Sequence, residues 1–118
     1  MEMINGSTVI PQSDVSEPVS FGATQTDRAY RVLVGAIPAG EPAPPLHVHP
    51  YTDEAFYISG GEATFLLGDR ETRVTAGGFV FLPRGTPHTA WNSGDDPMLG
   101  LIIASPGGAE NVFEPAGG

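Results

Sequence analysis

The chain contains no cysteine and no lysine, and only three histidines and one tryptophan among its 118 residues. Without cysteine there can be no disulfide, no thiolate metal ligand and no thiol nucleophile. Without lysine there can be no Schiff-base chemistry on the chain's own side-chain amines. The five basic residues are all arginine and face fourteen acidic ones, for a net charge of −9. That balance argues against nucleic-acid binding through a basic patch and against docking on an anionic membrane surface. No apolar run reaches membrane-spanning length. The first residues, MEMINGSTVIPQ, lack the basic and apolar regions of a secretory signal, so the expected location is the cytoplasm. Uninterrupted windows for a helix are also missing, because proline (12) and glycine (16) break nearly all of them.

What the sequence has instead is a series of short β-rich runs separated by turn residues. They cover Tyr30 to Ile37, Ala55 to Ser59, Glu62 to Leu67, Glu71 to Thr75, Gly78 to Leu82, His88 to Asn92 and Leu99 to Ala104, with weaker runs at Thr8 to Ile10 and Val19 to Phe21. Gly60-Gly61 reads as a hairpin turn, and Gly68-Asp69 as another turn signal. Some eight strands with no helices between them predict an all-β sandwich or barrel. The length suits a single domain over residues 1–118. Within it we expect an N-terminal arm to about residue 25, a barrel over about 26–105, and a loosely held Gly- and Pro-rich tail over 106–118 with Phe113 as its candidate anchor.

Two of the three histidines fall in one stretch, H-V-H-P-Y-T-D-E over residues 47–54. On a strand, His47 and His49 would share a face roughly 7 Å apart along the chain. A proline-opened loop then delivers Glu54 to the start of the next strand. His88 follows the turn-rich P-R-G-T-P and opens its own strand. Three imidazoles and one carboxylate form a suitable first shell for a divalent transition metal, with room for water or substrate. Asp53, out of phase with Glu54, reads as a solvated loop residue.

These residues carry a family resemblance. The sequence resembles the cupins, whose first motif, G-x5-HxH-x3/4-E-x6-G, is matched by Gly40, His47, His49, Glu54 and Gly61, with six residues rather than five after Gly40. Their second motif, G-x5-PxG-x2-H-x3-N, is matched by Gly77, Pro83, Gly85, His88 and Asn92 at every position. The resemblance implies an all-β cupin jelly roll, the double-stranded β-helix barrel. It also implies one divalent transition metal per chain (Fe, Mn, Ni, Cu, Co or Zn) held by His47, His49, Glu54 and His88, and assembly as a homodimer.

Phe56 and Ile58 share the strand face of Glu54, and Ala90 that of His88, so these three are candidate substrate-pocket residues. Val32, Val34 and Tyr51 join them as further pocket candidates. Trp91, out of phase with His88, is expected to pack outside the barrel, and Arg84 to be exposed at a loop tip. The direction in which Phe79 and Phe81 point stays open. An apolar pocket beside a metal suits a small, aromatic or polyketide-like substrate. Three functions follow. A metal-dependent dioxygenase, similar to the small cupins grouped with quercetin 2,3-dioxygenase, stands slightly first, with Glu54 as ligand and base. Second is a non-redox cyclase, isomerase or decarboxylase, as in polyketide-cyclase-like cupins. Third is a non-catalytic small-ligand binder.

Overall fold

The computed structural model describes residues 2–9, 19–22 and 25–116. Twelve strands appear among them: β1 (Glu2–Ile4), β2 (Ser7–Val9), β3 (Val19–Phe21), β4 (Arg31–Ile37), β5 (His47–Val48), β6 (Asp53–Gly60), β7 (Glu62–Leu67), β8 (Arg70–Thr75), β9 (Phe79–Leu82), β10 (His88–Asn92), β11 (Met98–Ser105) and β12 (Glu114–Pro115). The one helical element described is a 3-10 turn over Ala109–Asn111. No helix among the described residues is long and apolar enough to cross a membrane.

The strands form two five-stranded antiparallel sheets, ordered β12-β5-β10-β7-β8 and β3-β4-β11-β6-β9, while β1 and β2 make a small hairpin sheet of their own. This is the expected all-β jelly roll, built as two facing sheets. Sequence neighbours β6 and β7 belong to different sheets, so the Gly60-Gly61 turn is a sheet-to-sheet corner rather than a paired hairpin. Gly61 adopts φ 77°, and a Cβ there would lie 2.7 Å from the Pro97 carbonyl oxygen, so only glycine fits the corner. The Gly68-Asp69 turn does join a paired hairpin, β7 to β8.

Inward-facing residues alternate along the strands and meet in a core centred on Ile58, Ala63 and Phe65, against which Phe56, Val80 and Ala90 pack. Phe56 on β6 and Phe65 on β7 meet edge to face at 5.2 Å, which ties one sheet to the other.

Strands β3, β7 and β10 have the predicted limits, and the other predicted strands differ by one or two residues, since a strand ends where its partner stops offering hydrogen bonds. The expected run to Ile10 includes a residue outside those described, as do parts of the N-terminal arm and the last two tail residues. The rest of the tail is more structured than its composition suggests. After the 3-10 turn, β12 pairs with β5 directly beside His47. Glu110, only 9% exposed, meets Arg31 at 3.1 Å and accepts a hydrogen bond from the Gly108 N–H.

Candidate metal centre

Three histidines reach one point from two strands and a loop. His47 and His88 are directly opposite each other across the β5–β10 ladder, at the first residue of each strand. His49 lies one residue past the short β5, so the H-x-H pair straddles a strand end instead of lying wholly within a strand. The ring centroids of His47 lie 4.9 Å from His49 and 4.5 Å from His88. One nitrogen from each of the three imidazoles falls within 4.8 Å of the others. Glu54, near the start of β6, enters from the facing sheet. Its Oε1 lies 3.2 Å from His49 Nε2 and 3.4 Å from His88 Nε2.

The hydrogen bonds around the rings decide which nitrogens are free. His47 Nδ1 lies 2.8 Å from the Pro45 carbonyl, and His88 Nδ1 lies 2.9 Å from the Thr86 carbonyl. A carbonyl only accepts, so each Nδ1 must carry the proton and donate. In the neutral ring that leaves Nε2 as a bare lone pair, the form a metal requires. Glu54 Oε1 and His49 Nδ1 are buried with no hydrogen-bond partner. Such orphaned polar atoms are costly unless something else satisfies them. Nitrogen donors plus a carboxylate oxygen suit a first-row divalent ion. The residues present therefore fit a metal, and the three histidines can hold one.

Electrostatics point the same way. Burial of the His88 ring works against its charged form and is the largest single influence. The Glu54 carboxylate and the Thr86 carbonyl together outweigh it and hold the pKa above the ordinary value of 6.5. A site that attracts a proton to this nitrogen attracts a cation for the same reason.

Backbone and ion-pair contacts lock the loop that carries His88 onto the strand that carries Glu54. The Arg84 N–H donates to Asp53 Oδ1 at 2.8 Å, and its guanidinium meets both carboxylate oxygens at 3.2 and 3.3 Å. This pairing holds the Asp53 carboxyl below its usual range and raises that of Arg84. Asp53 is thus not a free loop carboxylate but the first residue of β6, and Arg84, exposed as expected, is already neutralised. One residue on, Gly85 N–H donates to the His49 carbonyl at 2.9 Å.

The motif asparagine, Asn92, is structural. Its Nδ2 donates to the Ile37 and Asp96 carbonyls at 2.9 and 2.8 Å, and its Oδ1 accepts from the Gly94 N–H at 2.9 Å.

The candidate pocket residues separate into two groups. Phe56, Ile58 and Ala90 do line an apolar cavity between the sheets, together with Leu33 and Phe65. Val32 and Val34 do not line it: alternation along β4 sends Leu33 and Gly35 inward and the two valines outward. No histidine borders that cavity. Tyr51, 60% exposed, borders neither it nor the histidines' own cavity.

The cavity that does touch His47 and His49 is a different one, of about 400 Å³. Besides the two histidines, it is lined by Pro44, Pro45 and Leu46 and by the tail residues Glu110, Asn111, Phe113 and Pro115. Phe113 lies edge-on to His47 at 5.8 Å and to His49 at 6.1 Å. The sequence marks Phe113 only as a tail anchor. The proline pair and Glu110 carry no signal, because no local pattern reports which surface a tail folds against.

Comparison with known proteins decides the family. Residues 33–104 match the family described as Cupin domain. The chain is a cupin. Its similarity to dimethylsulfoniopropionate lyase DddQ of Ruegeria pomeroyi is 40% identity over 60 residues, half of this chain. The chain spans less than a third, 29%, of that relative's length. Among solved structures, a double-stranded β-helix protein of uncharacterised function from Klebsiella pneumoniae matches with TM-score 0.70 and 27% identity, over 92% of this cupin and 84% of the other chain. A deletion mutant of Bacillus subtilis oxalate decarboxylase OxdC matches with TM-score 0.60 and 26% identity, over 73% of this cupin and 24% of that chain.

Proposed function

We propose that this cupin is a metal-dependent enzyme for non-redox bond rearrangement, a lyase, decarboxylase or isomerase acting on a small substrate with a carbonyl or carboxylate oxygen. The observation that carries the reading is the buried Glu54 Oε1, which accepts no hydrogen bond and sits 3.2 Å from His49 Nε2. His47, His49 and His88 would hold a divalent ion, with Glu54 beside it or as a fourth ligand. Such an ion supplies Lewis-acid polarisation of the substrate oxygen and acidifies the neighbouring C–H bond.

Glu54 then takes the proton from that carbon. The electron pair left behind forms a double bond as a β-substituent departs, or is reprotonated at another atom. Elimination and isomerisation thus share one first step, whereas in decarboxylation the C–C bond to the carboxylate breaks, its electron pair stays on the remaining carbon as CO2 leaves, and Glu54, in its protonated form, gives that carbon a proton. Pro44, Leu46 and Phe113 give the cavity beside His47 and His49 apolar walls, which suits a substrate with an apolar portion. Asn111, which also lines the cavity, offers an orienting contact for the substrate.

The relatives with named reactions support this order of preference: one is a lyase and one a decarboxylase. The dioxygenase reading, which stood slightly first on the sequence, now stands second, since neither name refers to oxygen chemistry.

The experiment uses protein loaded with Zn(II) or Mn(II), kept anaerobic in D2O, with a panel of short carboxylates that includes dimethylsulfoniopropionate and oxalate. The expected result is metal-dependent product release or deuterium uptake at carbon. Glu54→Gln should lose roughly 100-fold or more of it while its metal content falls far less. Turnover that needs O2 and consumes it in step with product would overturn the proposal in favour of a dioxygenase.

A further inference from the structure

The tail that lines the histidine cavity has two parts held with unequal strength. Its base is pinned. Gly107 is buried, and its N–H donates to the Arg28 carbonyl at 3.0 Å. A Cβ there would lie 2.6 Å from the Tyr30 carbonyl carbon and oxygen, so only glycine lets the tail approach the start of β4 this closely. Glu110 completes the base. Its Oε1 accepts from Nη1 of Arg31, the first residue of β4, at 3.1 Å. Its Oε2 accepts from the Gly108 N–H at 2.7 Å. Both carboxylate oxygens are engaged, although Glu110 lines the cavity.

Beyond the 3-10 turn the hold is slight. Asn111 to Pro115 are all exposed. Strand β12 sets only Glu114 and Pro115 opposite Val48 and His47 of β5, and Pro115 has no N–H to donate. The Ala116 N–H bonds the Leu46 carbonyl at 3.1 Å. A segment with few buried contacts and a short, solvent-exposed ladder opens at far lower free energy than the core. Yet this weakly held part carries Phe113, edge-on to His47 and His49, and Pro115, both of which line the cavity.

We propose that residues 112–116 are a hinged flap over the histidine cluster, swinging about the 3-10 turn Ala109–Asn111 to admit a ligand, with Arg31 and Glu110 as the positioning residues that set its closed pose. The inference rests on the histidine cluster as the site, and not on the reaction assigned to it. With the flap down, Phe113 completes the cavity wall beside the two imidazoles. With the flap raised, that wall is gone and the imidazoles are open from the β5 edge. A ligand that lays apolar surface against Phe113 binds the closed form better and draws the flap down. Loss of the Arg31–Glu110 pair loosens the hinge and shifts the population toward the open form.

The test needs neither metal nor turnover, so its outcome is separate from that of the proposed chemistry. All three histidines of the chain belong to the cluster. Histidine modification by diethylpyrocarbonate in metal-free protein, mapped by mass spectrometry, therefore reports on this site alone. Glu114 and Val48 are directly opposite in the ladder, and the chain has no cysteine of its own. Such a pair lies about 4.5–5.5 Å apart, within reach of a disulfide. The double variant Glu114→Cys with Val48→Cys thus locks the flap when oxidised and frees it when reduced. Locking should slow histidine modification by about tenfold or more, and dithiothreitol should restore the rate. Glu110→Gln should speed modification by about tenfold, and adding the oxidised lock should abolish that gain. Hydrogen exchange on the wild type gives a second measurement if the disulfide does not form. The Ala116 N–H should exchange at least about 100-fold faster than the Gly107 N–H. Equal modification of the oxidised and reduced forms, a Glu110→Gln effect that persists in the locked protein, or equal protection of the two amides would overturn the proposal.

Discussion

Replacing Asn92 by alanine should cost this protein about 3 kcal/mol of stability and leave its metal content intact. Asn92 is 5% exposed and makes three hydrogen bonds, to the Ile37 carbonyl at the end of β4 and to Asp96 and Gly94 in the loop before β11. Each bond contributes about 1 kcal/mol net, and a carbonyl left buried without its donor costs about 1–3 kcal/mol. The Ile37 oxygen is the partner least able to turn to water, while the loop groups can rehydrate, so the sum stays near the lower bound. For a domain of this size the melting temperature should fall by roughly 10 °C. Asn92→Asp should be at least as harmful, because it removes the donor and aims a carboxylate at two carbonyl oxygens. Thermal and denaturant unfolding measure the loss, and metal analysis of the folded variant measures the site. Asn92 lies four residues along β10 from His88 and touches no ligand, so the two readouts should separate. A melting temperature within about 2 °C of wild type, or loss of metal at unchanged stability, would refute a structural role for this motif residue.

Three further outcomes are expected. Phe65→Ala should destabilise by about 3–5 kcal/mol, read by denaturant midpoint, because the ring is 1% exposed and joins the sheets through Phe56. Phe113→Ala should change stability by less than about 1 kcal/mol, since the ring is 62% exposed, yet it should raise KM and broaden substrate choice by removing one wall of the histidine cavity. The metal-free protein should depend on pH through His88, whose folded pKa is raised above 6.5. A raised folded pKa means stability that is fully present below the unfolded value and lost as pH climbs through the folded one. NMR titration of the ring and unfolding across that window check it. Metal-loaded protein should show the opposite trend, since the metal takes the neutral imidazole.

The parts of the molecule legible in the sequence are those where chemistry restricts both residue type and spacing. His47, His49, Glu54 and His88 stand at fixed intervals because two adjacent strands and one facing strand must deliver their side chains to one point. Gly61 is legible for a related reason: only glycine fits beneath the Pro97 carbonyl. The phase of β4 was not legible. Its run V-L-V is apolar at every position, so alternation carries no inside-or-outside signal, and that is itself a consequence of the apolar outward face of this sheet. The wall formed by Phe113 was invisible because a Gly- and Pro-rich tail contains no periodicity. Its docking depends on the short β5 edge that it finds. The Asp53–Arg84 pair joins residues 31 apart in sequence, and nothing local marks it.

The measurement that bears most directly on the account is metal content by mass spectrometry, wild type beside His88→Ala. The geometry predicts about one transition metal per wild-type chain and its loss from the variant, because removing His88 takes away one of three clustered imidazoles and a neighbour of the Glu54 oxygen. A wild type that neither carries nor takes up a transition metal, or a His88→Ala variant that retains it at full occupancy, would contradict the assignment of this cluster as a metal centre.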